Sequence, residues 1–424
     1  LGPSAPAGTR YAGFMDRVRA AACGLAAALV FAAPPPLRAY GILSHLAVVD
    51  AAWDGSIAPA LGVRYPGLTA DDLRRAHAFA YGGALVQDMG YYPGGSRALG
   101  DLMHYVRSAE LVRALADEAR DANEYAFAMG ALAHFLADSE GHPLGVNRVV
   151  PLTFPKLRRK FGDVVTYEQD PKAHLRVEFG FDVVQVARGL YPPEDYRRFI
   201  GFEVPLPLLS RAVRRTYGRD LVDFMPRPER SVRSFRKFLA SVFPKATRVA
   251  WAYKKDEIRQ AMPGATSTQF VYSLSNAAFD KEWGRDYDRP GLGSRVGAFL
   301  LRLVPKVGPL RVLIPKPPPP EGERLYEESF NVVLAGYRAA VGEARLPAAD
   351  VNLDVGAQTP PGTYGRADEA WADLCTRLAA AGRVPDIDPA LAAAILAHYG
   401  GPRTPAAPPA LQPLLQRLQI HPGE

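Results

Sequence analysis

Hydrophobic positions along the chain recur almost everywhere at helical spacing. From Leu43 to Ala52 they follow a 3.6-residue period, with Ser44 near the predicted helix start. Thr69-Ala70-Asp71-Asp72 resembles a capping box ahead of an alanine-rich helix through His77. Gly82-Gly83 is expected to break that helix, which leaves Asp88 in a loop or at a helix end. LGDLMHYVRSAELVRALADEA, containing His104, is a further helix signal. Gly130 to Asn147 (GALAHFLADSEGHPLGVN) predicts a buried helix, with His142 on a frayed last turn because Pro143 disfavours helix before it. DPKAHLRVEFGFDVV, Ser231 to Met262, Glu323 to Ala344 and Ala367 to Ala381 continue the helical pattern. No convincing run of alternating strand residues occurs. The fold class is therefore all-α, a multi-helix bundle with a helical C-terminal extension.

Polar residues interrupt these apolar faces at telling positions. His134, Asp138 and His142 lie four residues apart, so a helix projects all three from one face. Their neighbours Phe135, Leu136 and Ala137 are apolar or small, and unpartnered polar groups in such a setting are costly. A metal ion removes that cost. His174 and Glu178 form a second pair one turn apart. Of eight histidines, His45, His104, His134, His142 and His174 fall in these segments, together with Asp88, Asp138 and Glu178. Imidazole plus carboxylate without thiolate suits zinc in a hydrolytic site. Eight ligands exceed one tetrahedral ion and fit two or three Zn2+ with a bridging carboxylate. His77, His398 and His421 read as ordinary core or surface histidines. Tyr91, Tyr92 and Trp53 read as packing.

Composition adjusts this picture modestly. Hydrophobic residues make up 48% of 424, ample for a core. The net charge of +7 includes Arg10, Arg17, Arg19 and Arg38 against Asp16 near the start, so the rest is too mildly basic to argue for nucleic acid. Residues 1–39 read as a leader: an upstream extension to residue 14, Met15 as the start, Arg17 and Arg19 as a basic region, and Ala20 to Ala33 as a signal-type apolar run. Cleavage after Ala39 exposes Tyr40, and the mature protein is expected in the periplasm or outside the cell. Cys23 leaves with the leader and Cys375 is then alone, so no internal disulfide forms. Arg295 to Lys316 mixes five basic residues with large apolar ones and no acid, a pattern for peripheral membrane contact or for a buried connector. Pro317 to Pro320 reads as a stiff spacer, and the proline-rich tail from Pro402 as loose. The expected divisions are the leader at 1–39, a helical zinc domain at 40–290, a helical C-terminal region at 291–401 and the tail at 402–424.

The ordered set His45, Asp88, His104, His134, Asp138, His142, His174 and Glu178 resembles the zinc-dependent phospholipase C family, from Tyr40 to about Val184. The resemblance implies a helical phospholipase C-like fold and a trinuclear zinc site. It implies that His45, Asp138 and the Tyr40 amino terminus hold one ion. Asp88, His104, His134 and Asp138 hold a second, and His142, His174 and Glu178 a third. The secreted toxins of the family usually have five residues between the bridging Asp and the next His; here there are three. That spacing, the short Tyr40–His45 interval and GALVQDMGYYP resemble the glycosylphosphatidylinositol-specific phospholipase D branch. Tyr40 replaces the usual terminal Trp, and Met89 stands where choline-preferring members carry an aromatic residue. The implied activity is phospholipid hydrolysis by metal-activated hydroxide attacking phosphorus, with Asp88 as ligand or as the base that orients the water. Phospholipase D-type cleavage is one alternative. A single-strand-specific zinc nuclease is another, disfavoured because Glu178 stands where such enzymes typically have Asp and because stacking aromatics beside a basic groove are not evident. A non-catalytic zinc-containing membrane-binding protein is the third.

Overall fold

Helices account for nearly all regular structure in the computed structural model, which describes residues 40–92, 94–187, 202–261, 263, 265–267, 318–380, 387–400 and 411–420. Among them one isolated antiparallel bridge, Asn352 with Ala357, stands in for any sheet. The fold is an all-α bundle, as the hydrophobic period predicts. The leader and its cleavage point, the basic-apolar segment Arg295–Lys316 and His421 lie outside the described residues.

α1 (Ile42–Ala52) runs through a π-helical turn, Trp53–Ile57, into α2 (Ala58–Arg64). This stretch of 23 residues is apolar enough by length and composition to cross a membrane. Core packing accounts for the composition: Leu43, Val48, Val49, Ala52, Ile57 and Leu61 are all fully buried. The N-terminus of α1 is capped from a distance. Asp182 Oδ1 accepts from Leu43 N at 3.0 Å and Ser44 N at 3.2 Å, satisfying donors no earlier turn can reach. Gly41 permits this approach, because a Cβ there would sit 2.0 Å from Asp182 Oδ1.

α3 (Ala70–Met89) starts at a true capping box: Thr69 Oγ1 accepts from Asp72 N, and Asp72 Oδ2 accepts from Thr69 N. It does not break at Gly82-Gly83 but continues to Met89, which places Asp88 in its last turn. The glycines serve a different purpose. α6 (Ala122–Gly141) crosses α3 so closely that a Cβ on Gly83 would lie 1.9 Å from Phe127 O, and one on Gly130 would lie 1.9 Å from Ala80 O. Gly130→Ala should therefore force the two helices apart and cost about 3 kcal/mol, readable as a lowered denaturant midpoint. An unchanged midpoint would mean that the crossing is looser than its geometry.

Between these two helices lie α4 (Arg97–Tyr105) and α5 (Ser108–Glu118). The sequence reads them as one helix. Arg107, in left-handed conformation at φ 52°, splits them. Nor does α6 fray at His142. It passes through a π-helical turn, His142–Val146, into α7 (Asn147–Thr153). Pro143 falls at the second position of that turn, so its missing N–H and its ring are accommodated there.

The chain continues with α8 (Pro155–Phe161), α9 (Pro171–Ala187), α10 (Leu206–Tyr217), the short α11 (Leu221–Phe224) and α12 (Pro228–Ala261), the last broken at Lys254. After Pro318 and Pro319 come α13 (Pro320–Gly342), α14 (Gly365–Ala380), α15 (Pro389–Tyr399) and α16 (Gln412–Ile420). All described residues belong to one compact unit, so the late helices share a core with the early ones. α13 packs on α1, α6 and the 142–146 turn. Tyr337 OH donates to Met129 O at 2.9 Å, and Tyr40 OH and Ser329 Oγ lie 2.8 Å apart. Within the stretch read as a tail, the described residues 411–420 are packed: α16 buries Leu414, Leu415 and Leu418, with Leu411 just before it, at helical spacing.

Candidate metal centre

Six elements bring their polar residues to one place inside the bundle. α1 contributes His45, α3 Asp88, α4 His104, α6 His134 and Asp138, the π turn His142, and α9 His174 and Glu178. None of these eight residues is more than 5% exposed. They form three groups able to hold a cation: His45, His134 and Asp138; Asp88, His104 and His134; His142, His174 and Glu178. Within each, donor atoms lie within 4.8 Å of one another.

Asp138 sits at the middle. Its Oδ1 lies 3.3 Å from His45 Nε2 and 3.5 Å from His142 Nε2, and accepts from Tyr40 N at 3.2 Å. Its Oδ2 lies 3.2 Å from His134 Nε2 and 3.5 Å from His104 Nε2. Asp88 Oδ1 approaches His104 Nε2 at 3.6 Å, and His174 Nδ1 lies 3.6 Å from Glu178 Oε1. The Tyr40 side chain packs against Tyr326, Phe181 and Ser329 and meets the His45 ring edge-on at 6.3 Å, while its backbone N–H reaches Asp138.

The surrounding hydrogen bonds fix which imidazole nitrogen is free. His134 Nδ1 contacts Ala84 O at 2.9 Å, His104 Nδ1 contacts Gly100 O at 2.8 Å, and His174 Nε2 contacts Val165 O at 2.6 Å. A carbonyl only accepts, so each of these nitrogens carries the proton and the other presents a lone pair. The Nε2 atoms of His104 and His134 consequently face each other at 3.4 Å, with Asp138 Oδ2 alongside. With both rings neutral, lone pair would face lone pair, a contact that a proton or a metal ion between them resolves. His142 differs in using a carboxylate: its Nδ1 lies 3.0 Å from Asp354 Oδ1. Tyr91 OH also reaches His104 Nδ1 at 3.2 Å, so this tyrosine borders the centre as well as packing.

The residues fit zinc on these grounds. Both oxygens of Asp88 and of Glu178, Asp138 Oδ2, both nitrogens of His45, His142 Nε2 and His174 Nδ1 are buried with no hydrogen-bond partner. So many orphaned groups in one core are untenable without compensation. The set is nitrogen and oxygen only; Cys375, the one cysteine among the described residues, is buried on α14 and outside all three groups.

Electrostatics point the same way. Burial, then the Asp138 and Asp88 carboxylates, push Glu178 well above the usual carboxylate range. Burial would lower His104, but the attraction of the Asp138 and Asp88 carboxylates, 3.5 and 3.6 Å from its Nε2, outweighs it and lifts the imidazole to about 9. His174 is pushed down to about 4, chiefly by burial, which keeps its ring neutral. In Asp138, by contrast, the field of His134, His142 and His45 overcomes burial and holds the carboxyl well below its ordinary range.

His77 stands apart. It stacks on Trp53 at 3.9 Å, and its Nε2 lies 3.0 Å from Asp50 Oδ1. His398 pairs with Asp368 on α14 at 3.5 Å. The residue that sequence reasoning missed is Asp354, whose only local signal is the turn-forming run Asn352-Leu353-Asp354-Val355-Gly356.

Residues 39–222 match the family model of zinc dependent phospholipase C. Comparison with curated proteins and with solved structures returned no match.

Proposed function

We infer that this chain, a zinc-dependent phospholipase-C-like hydrolase, works on phospholipids through three ions held by the residues just described. In this reading His45, Asp138 and the Tyr40 backbone nitrogen hold one ion. Asp88, His104 and His134 hold another with Asp138 as the bridge, and His142, His174 and Glu178 hold the third. The observation that carries the reading is the convergence of buried, unpartnered nitrogen and oxygen atoms on Asp138, where only cations reconcile them.

When bound, zinc supplies Lewis acidity toward phosphoryl oxygens and makes a water acidic enough to serve as nucleophile near neutral pH. The chain supplies orientation and proton handling. The Ala84 and Gly100 carbonyls lock His134 and His104 with Nε2 inward, so neither ring can turn its N–H toward the substrate. Asp88, with neither oxygen committed to a hydrogen bond, is the group positioned to take a proton from the attacking water. The buried surroundings limit competing water.

Cleavage on the glycerol side, C-type, is the primary reading. The three-residue interval between Asp138 and His142 supports a place nearer the glycosylphosphatidylinositol-specific phospholipase D branch, and D-type cleavage is the second reading on that observation. The signal-like pattern of residues 1–39 supports export.

The deciding experiment incubates purified protein with mixed phospholipid vesicles and, separately, with single-stranded DNA. Diacylglycerol is the expected product. Phosphatidic acid would move the reading to D-type, and nucleotides without lipid turnover would replace it with a nuclease.

A further inference from the structure

The match to the zinc phospholipase family ends at residue 222, yet the candidate metal centre does not. Residues Asn352–Ala357 form a short loop, closed by Asn352 N donating to Ala357 O at 3.0 Å, that lies across four elements carrying or flanking the ligands. Leu353 N donates to His104 O at 3.0 Å on α4. Gly356, at φ 65°, presses onto the end of α6, where a Cβ would lie 2.1 Å from Ser139 O. Asn147 Nδ2 donates to Asp354 O at 2.7 Å just past the π turn. Tyr167 N donates to Asp354 Oδ2 at 2.9 Å in the segment whose Val165 O orients His174.

The Asp354 carboxylate has a divided task. Oδ2 is occupied by Tyr167 N and by Tyr364 OH at 2.8 Å. Oδ1 faces His142 Nδ1 at 3.0 Å. The opposite nitrogen of that ring, Nε2, faces Asp138 and has no hydrogen-bond partner. Asp354 is therefore one ring removed from the ion site and is not itself a ligand. His104, His134 and His174 are each oriented by a neutral backbone carbonyl. His142 alone among these four is oriented by a charged group, and that group comes from a loop 212 residues further along the chain. A carboxylate behind an imidazole fixes its tautomer and raises its basicity as a ligand.

We propose that Asp354 is a positioning residue for the His142–His174–Glu178 ion, so that the segment beyond the family match sets how tightly this one ion is held. The inference rests on the zinc reading above and adds a residue and a chain segment to it. Loss of this carboxylate from behind His142 should weaken one ion and leave the other two.

The test uses the full chain as wild type, Asp354→Asn and Tyr364→Phe. Asparagine keeps the shape, and its amide oxygen can still accept from Tyr167 N and Tyr364 OH; its N–H groups then face His142 Nδ1, so the substitution removes the charge and the acceptor behind that ring together. Zinc content is followed during chelator competition, and 113Cd-substituted protein is examined by NMR. Asp354→Asn is expected to raise the dissociation constant of one ion about 10- to 100-fold and to move one cadmium resonance, with the other two unchanged. Tyr364→Phe removes one anchor of the carboxylate without touching His142, and should weaken the same ion to a smaller degree. It decides the matter if Asp354→Asn does not fold. Three ions held as in wild type in the folded variant, or all three weakened alike, would overturn the inference while leaving the zinc reading intact. Wild-type chain that takes up no zinc would overturn both.

Discussion

Asp138→Asn is expected to lower phospholipid turnover by about a thousandfold, the rate equivalent of roughly 4 kcal/mol of lost metal-borne stabilisation. The size follows from its position. One oxygen faces His45, His142 and the Tyr40 backbone, and the other faces His104 and His134, so a single carboxylate serves all three candidate groups. Asparagine keeps the volume but replaces one acceptor oxygen with an amide that turns two N–H groups toward lone-pair donors or a cation. Zinc content should fall with the rate, which separates this result from loss of folding. A variant that keeps its zinc and its turnover to within about tenfold would show that Asp138 does not bridge.

Stripping the protein of zinc should lower its melting temperature by on the order of 10 °C, since each ion present at a thousand times its dissociation constant contributes about 4 kcal/mol. Differential scanning calorimetry before and after chelation, and again after zinc is restored, measures this directly. The loss should depend on pH with a definite sign. Without metal, His104 is raised to about 9, so below that pH the ring holds a proton that an incoming ion must expel. Zinc affinity should therefore climb by about tenfold per pH unit for each proton displaced and level off above about 9. An affinity that is flat from pH 6 to 9 would place the proton elsewhere.

What the amino-acid order revealed depended on distance along the chain. His134, Asp138 and His142 are legible because four-residue spacing on an apolar helix makes a cluster from sequence alone, and His174 with Glu178 repeats the device. The helical periods also located most elements. Local signals failed where a distant partner changed their meaning. Gly82-Gly83 looks like a breaker until its neighbours are set against it: Gly82 makes room for the Glu203 backbone and Gly83 for α6, while α3 runs on and delivers Asp88 from its last turn. Pro143 looks like a stop, yet the π turn absorbs it and carries His142 inward. Arg107 gave no sign of its left-handed conformation, having neither the small side chain nor the local hydrogen bonding that usually marks one. Asp354 was out of reach, because a lone acid in a turn has no period and its partners Tyr167 and His142 are nearly two hundred residues or more away.

The way α13 lies on the early helices bears on how this protein should be produced. Tyr326, Val333, Tyr337 and Val341 fill the surface of the bundle beside α1 and α6. A gene fragment stopped at Val222, where the family match ends, would leave that surface bare to solvent and invite self-association. Such a fragment is expected in inclusion bodies, whereas a chain carried through α16 should stay in the supernatant. Expression boundaries drawn from the family profile alone would thus discard part of the enzyme's own interior.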